Sequence, residues 1–349
     1  MAKTTPRKLS MLRFCVLAIF SAASGISLLA QTAQPFSLVR SIPLPGVAGK
    51  FDHFAIDLEG GRLFTAATGN HSVEVINLKT GTVEQSLSGL GKPHGLAWIA
   101  ATGRLYVADG ALKQLRMYSG SPLKLAATLK LSDDADDMVL NPSTGLLYVG
   151  QGGSDAANPP QIAVVAASDL SLKANLPVSA HPEALDIDPI AQRIFANIAD
   201  AAEVAVVDGV SNSIIAHWKL ANATDNVPIA FDAEHRLVFI ACRKPAALLV
   251  LDATSGSELA RLPTGAGADD LFYDSSLHRV YVIAGAGEVD AYQIDAQKSV
   301  HAIGILSTEA GAKTALFVPS QSLLYVGVPS ASSASGRPAE IRIYAPQSK

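Results

Sequence analysis

Seven positions, recurring with a period in the forties, hold many of the side chains able to bind ions or move protons. They are Asp52, His94, Asp136, Glu183, Val227, Asp269 and Lys313. The residues that follow them are His53, Gly95, Asp137, Ala184, Pro228, Asp270 and Thr314. Carboxylates and imidazoles gathered in a narrow, partly desolvated space acquire shifted pKa values, which marks a candidate functional site. The same donors suit a divalent cation, with oxygens for calcium or with imidazoles for zinc. His94, Glu183 and Asp136 are the candidate metal ligands. Polar residues at a solvated opening are equally ordinary, so both readings stand.

What positions these residues is a repeated strand. Gly103-Arg104-Leu105-Tyr106-Val107-Ala108-Asp109 has counterparts at Gly61-Arg62-Leu63-Phe64, Leu146-Leu147-Tyr148-Val149, Arg193-Ile194-Phe195-Ala196, Leu237-Val238-Phe239-Ile240, Arg279-Val280-Tyr281-Val282 and Leu323-Leu324-Tyr325-Val326. Measured at the apolar residue before the aromatic, from Leu63 to Leu324, the intervals are 42, 42, 47, 44, 42 and 44. A period in the forties built from short strands indicates a propeller. A four-stranded blade has two apolar faces and cannot bury itself alone; packing blades around a ring solves this. The expected fold is therefore all-β, a seven-bladed propeller with four-stranded antiparallel blades.

Phe36-Ser37-Leu38-Val39-Arg40-Ser41-Ile42 reads as one strand, with Phe36, Leu38 and Ile42 on its apolar face. It has no partner upstream, and the last repeat is one strand short. The N-terminal strand is expected to complete the seventh blade. In such a ring the start of each inner strand opens on the mouth of the central channel, so the positions above converge there. The loop between the second and third strands opens on the same face and adds His71, Asp109, Asp200 and Arg243. This loop is lengthened at 151–160 and 329–338, either as a binding feature or as a tolerated insertion. Gly and Asp at turns such as Asp208-Gly209 supply turn geometry. The acidic run from Ser132 to Asp137 lacks the glycine and closing glutamate of an EF-hand and reads as a solvated loop. His217, His235, His278 and His301 read as surface residues.

Residues 1–30 read as a secretory signal peptide, with a basic start (Lys3, Arg7, Lys8, Arg13) and a short apolar run. Residues 31–349 are then a single propeller domain, periplasmic or extracellular, with no membrane span after cleavage. Removing the four basic residues takes the net charge from -4 to -8. That balance argues against binding a phosphate backbone, which needs clustered Lys and Arg. Cys242 would be the one cysteine left, so no intramolecular disulfide is expected. His-Glu-x-x-His, paired Cys-x-x-Cys, Gly-x-Ser-x-Gly and P-loop motifs are absent.

Tyr106-Val107-Ala108-Asp109, Tyr148-Val149-Gly150, Tyr281-Val282-Ile283-Ala284 and Tyr325-Val326-Gly327 resemble the name-giving tetrapeptide of the YVTN-repeat (YncE-like) seven-bladed propellers. Val204-Ala205-Val206-Val207-Asp208 and Leu248-Leu249-Val250-Leu251-Asp252 look like that family's third strand. The resemblance covers about residues 35–345, and no copy is a perfect Tyr-Val-Thr-Asn. It implies an exported propeller, in a family linked to nucleic-acid binding, to adhesion and, in a related group, to lactone hydrolysis. The expected function is a ligand-binding or protein-interaction module acting through the channel mouth. Its expected ligand residues are Asp52, His53, His94, Asp136, Asp137, Glu183, Asp269, Asp270, Lys313 and Arg243. The partner would be a small molecule or a protein, and the chain a monomer. The alternative is a metal-assisted hydrolase of the lactonase kind.

Overall fold

The repeated dipeptide of apolar residue and aromatic explains the architecture, because successive side chains of a strand point to opposite faces. In the computed structural model, which describes residues 1–5, 34–153, 155–331 and 336–347, the two residues of each copy feed two different cores. Leu105 packs with Phe64 in one cluster, and its neighbour Tyr106 packs with Leu147 in the next. Tyr148 then meets Ile194, Phe195 meets Val238, and Phe239 meets Val280. Tyr281 meets Leu324, and Tyr325 closes the circle on Leu63. Seven four-stranded antiparallel sheets thus alternate with seven apolar interfaces. Ala33–Lys349 form one compact unit.

Blades 1 to 7 take their inner strands from Phe54–Asp57, Pro93–Ile99, Ala135–Asn141, Pro182–Asp188, Thr224–Asp232, Ala268–Asp274 and Thr314–Val318. The seventh blade is composite. Its outermost strand, Phe36–Leu44, pairs antiparallel with Ala339–Pro346, with Phe36 opposite Pro346 and Leu44 opposite Ala339. One detail differs from the alternation expected for this strand. Leu38 is exposed, because the register shifts between Leu38 and Arg40 and turns the preceding residues out of phase with buried Ile42 and Leu44.

The turns are held as their composition implies. Asp57, Asp188, Asp232 and Asp274 end inner strands, and each accepts backbone N–H groups two or three residues on. Asp208 and Asp252 do the same after third strands. The lengthened loops fall where expected, between the strands Leu146–Gln151 and Gln161–Ala166 and between Leu323–Val328 and Ala339–Pro346. Cys242 is fully buried, and burial pushes its thiol up to about 12, so it is a packed residue. The expected signal peptide lies outside the described residues except for its first five. No helix among the described residues is long and apolar enough to cross a membrane.

If the N-terminal strand closes the ring, Ile42→Ala should cost about 2–5 kcal/mol by the loss of buried methylenes. Leu38→Ala, on the exposed side, should cost under about 0.5 kcal/mol. Denaturant unfolding of the two variants checks this, and equal midpoints would show that the strand is dispensable.

Candidate functional site

The inner-strand starts converge, and they do so in two tiers. The first tier lines a mouth cavity of about 320 Å³: Asp52, His94, Asp136, Glu183, Asp269 and Lys313, with Arg243 from the end of the second strand Leu237–Lys244. The second tier lies deeper. Asp137 and Asp270 line a second cavity of about 350 Å³ whose other walls are largely apolar, including Leu96, Met138, Ile229 and Phe317. His53 borders both spaces and so stands between them. The tiers follow position along the inner strands, whose pairing with the second strands is irregular at this point, with register shifts between Ala135 and Met138 and between Ala268 and Asp270.

Charge is unevenly spread around the mouth. Blades 1 to 4 supply imidazoles and carboxylates, together with Lys50 and with Lys92, whose Nζ lies 3.2 Å from Asp134. His94 Nδ1 lies 2.6 Å from Asp52 Oδ2 and 3.6 Å from Asp136 Oδ1. His181 Nε2 lies 3.2 Å from Asp136 Oδ2. Burial works to raise the Asp52 pKa, yet the hydrogen bond from His94 and the nearby charges of His53, His94 and Lys50 prevail and bring it to about 2. Burial works against a charged His181, but the Asp136 carboxylate outweighs it and raises its pKa. Glu183 is raised by burial and by Asp136. The opposite wall is cationic. Asp269 is bracketed by Lys313 Nζ at 2.5 Å and by Arg243, whose Nε also donates to the Ala268 carbonyl at 2.8 Å. Two cations on one carboxylate leave a positive surplus there.

His94 is buried, and its Nε2 has no hydrogen-bond partner. With Nδ1 committed to Asp52, the free nitrogen belongs to a side chain that lines the mouth cavity. Gly95, next in the chain, has no room for a side chain: a Cβ there would sit 2.5 Å from the Asp136 carbonyl oxygen. That close approach keeps blades 2 and 3 together where His94 and Asp136 meet.

His53 is caged by three carboxylates. Its Nε2 lies 3.6 Å from Asp52 and 4.0 Å from Asp137, and its Nδ1 lies 3.4 Å from Asp270. Burial opposes the charge, but Asp137, Asp270 and Asp52 together hold its pKa well above the usual histidine range. The deeper carboxylates also brace neighbouring blades. Asp137 accepts the Leu185 N–H at 3.0 Å, Asp186 the Phe231 N–H at 2.7 Å, and Asp270 the Ala315 N–H at 2.6 Å. Burial pushes Asp137 up to about 6 despite His53 and the Leu185 amide, and Asp186 likewise up to about 6.

The residues expected on the face from the second loop divide. Arg243 lines the mouth, whereas Asp109 is fully buried and accepts the N–H groups of Gly91 and Lys92, a structural brace. His71 bonds the Gly91 carbonyl on the rim. The acidic run is not a solvated loop throughout. Asp134 and Asp136 line the mouth, Asp137 points deeper, and Asp133 is buried beside Lys113. Lys50, Lys92 and His181 complete the mouth, and Asp186 the deeper cavity. Asp186 had a visible signal: it is the only charged residue in a column that otherwise reads Ala55, Ala97, Val139, Ala230, Phe272 and Leu316. Among the described residues, one set of three metal-ligating groups converges within 4.8 Å, and it comprises Glu234, His235 and His278, away from the mouth.

No protein-family model matches the chain, and no curated protein matches it. Among solved structures it is similar to a chain titled Kuenenia stuttgartiensis hydrazine synthase, with a TM-score of 0.71 and 14% identity over 81% of this chain and 95% of that one. The likeness is one of fold. At that identity it carries no activity across.

The raised Asp186 pKa has a consequence for stability. A carboxyl whose folded pKa exceeds its unfolded value contributes stability that is full below the unfolded pKa and lost as pH rises through the folded one. For Asp186 the window runs from its ordinary 3.8 to about 6. Asp186→Asn keeps an acceptor for Phe231 and removes the charge. It should raise stability at pH 7 by about 1–3 kcal/mol and leave it unchanged near pH 3. Denaturant unfolding across that range reads the effect, and a variant equally shifted at both ends would contradict it.

Proposed function

We propose that this protein is an exported ligand-binding propeller, a divergent relative of the YVTN-repeat group, whose mouth cavity takes a small polar molecule. The observation that carries this is the free Nε2 of buried His94 in a side chain that lines the 320 Å³ space between the wall of blades 1 to 4 and an Arg243–Lys313 wall. A buried polar atom without a partner is costly unless something supplies one. The two walls favour a ligand with a carboxylate at one end and hydroxyl or amino groups at the other. Ligand sites of this kind are concave and carry a few convergent polar groups. The YVTN-like strands support the kinship, and the charged start of residues 1–30 supports export.

One feature favours a second reading, hydrolysis of a lactone-type ester. The Asp52–His94 pair fixes a tautomer whose Nε2 can take a proton from water as the water oxygen attacks the carbonyl carbon. The ring C–O bond then breaks, and the proton passes to the leaving alkoxide. The metal-assisted form is less favoured, because Asp136, Glu183 and His94 do not bring three ligand atoms within 4.8 Å of one another.

Amino acids, hydroxy acids and their lactones, tested by thermal shift and then calorimetry, distinguish these readings. At least one should raise the melting temperature, and Lys313→Ala together with Arg243→Ala should weaken its binding at least tenfold, since a charge-assisted hydrogen bond is worth about 1.5–3 kcal/mol. A panel with no binder would overturn the binding reading. Lactone turnover that drops about 10²–10⁴-fold in His94→Ala would establish the hydrolase instead.

A further inference from the structure

The ring carries a second cluster of ligating side chains at its other end. Loops that lead into inner strands open on the mouth, so the turns that leave them lie on the opposite face. Two such turns, in the adjacent blades 5 and 6, hold Glu234, His235 and His278. One nitrogen of each imidazole and one Glu234 carboxylate oxygen lie within 4.8 Å of one another. We propose that these three residues bind a zinc ion.

The local structure prepares them for it. Asp232 is fully buried and accepts the N–H groups of Glu234 at 2.9 Å and His235 at 3.2 Å, which fixes the turn that carries both ligands. Its other oxygen lies 2.6 Å from His235 Nδ1. That bond sets the tautomer and leaves Nε2 with the lone pair, the carboxylate–histidine arrangement that metal-binding imidazoles commonly have. On the neighbouring blade, His278 Nδ1 lies 3.5 Å from Glu234 Oε2 and 3.3 Å from the Tyr273 hydroxyl. The two rings meet edge to face, 5.5 Å apart. Lys298 Nζ donates to the His235 carbonyl at 2.9 Å, which keeps that cation on the backbone side of the turn. Glu234 and His278 are 60% and 41% exposed, so an ion can reach them and water can complete its coordination.

Two imidazoles and a carboxylate are a nitrogen–oxygen set suited to tetrahedral zinc with one open position. Calcium, which takes six to eight oxygens, does not fit it. The ligands come from two blades, so the ion would tie blades 5 and 6 together.

The position of His278 makes a clean test. It has a left-handed φ of 51°, and blades 1, 2 and 3 place Gly61, Gly103 and Gly145 at the equivalent point. His278→Gly therefore removes a ligand at a site where glycine fits the backbone. The full chain, titrated with zinc against a chromophoric chelator, should bind one equivalent more than His278→Gly or His235→Ala. Asp232→Asn should weaken that equivalent tenfold to a hundredfold. His94→Ala, altered at the mouth, should retain it. Zinc should also raise the melting temperature of the parent chain and not of His278→Gly. Binding unchanged in His278→Gly, or lost in His94→Ala, would overturn the proposal, as would the absence of bound zinc in the parent chain.

Discussion

The structure depends on one constraint: every second strand must satisfy two interfaces with two consecutive side chains. Leu105 completes the interface behind its blade and Tyr106 the one ahead, and the other blades follow the same rule. No interface belongs to a single blade, so no blade has a stable core alone. The ring must close for any of its cores to be complete, which is why the chain reaches back to use Phe36–Leu44 in its last sheet. That arrangement also fixes where chemistry can occur. With both faces of each sheet committed to neighbours, side chains free to meet a ligand are those at the inner edge and on the loops.

At that inner edge, function and structure share residues. An innermost strand faces the channel with backbone N–H groups that no further strand pairs, a problem common to sheet edges. Asp137, Asp186 and Asp270 meet three of them on the next blade. Their charges are then buried, which costs unless cations or donors compensate. His53 provides that compensation for Asp137 and Asp270 and also stands between the two cavities. The deeper tier is therefore part of the ring's bracing, while the mouth tier lines the cavity left to a ligand.

The fold was legible because its period is carried by buried residues, and burial tolerates little change. Seven copies of the apolar–aromatic pair identified seven blades, and strand counting identified the composite one. The site was legible as a ring of positions but not as two tiers, since nothing in the adjacent pairs Asp52–His53 and Asp136–Asp137 marks which cavity each residue lines. Lys50 and Lys92, like Asp134 and His181, stand two residues before the inner-strand starts, a column of the repeat that the reading of the starts alone did not include. Leu38 was misplaced because a bulge leaves no mark on an alternating pattern. His235 and His278 looked like surface residues one at a time. They sit within one position of equivalence in adjacent repeats, and only the ring makes neighbours of residues 43 apart.

The pairing of Phe36–Leu44 with Ala339–Pro346 has a mechanical consequence. Phe36 lies opposite Pro346, so the N-terminal end of one strand and the C-terminal end of the other are at the same end of the pair. A pull on the two ends of the chain would load these hydrogen bonds one after another, as in a zip, and not all together in shear. The seam that completes the ring is thus the place where tension through both termini would open it first. A tether through one terminus alone would leave it unloaded.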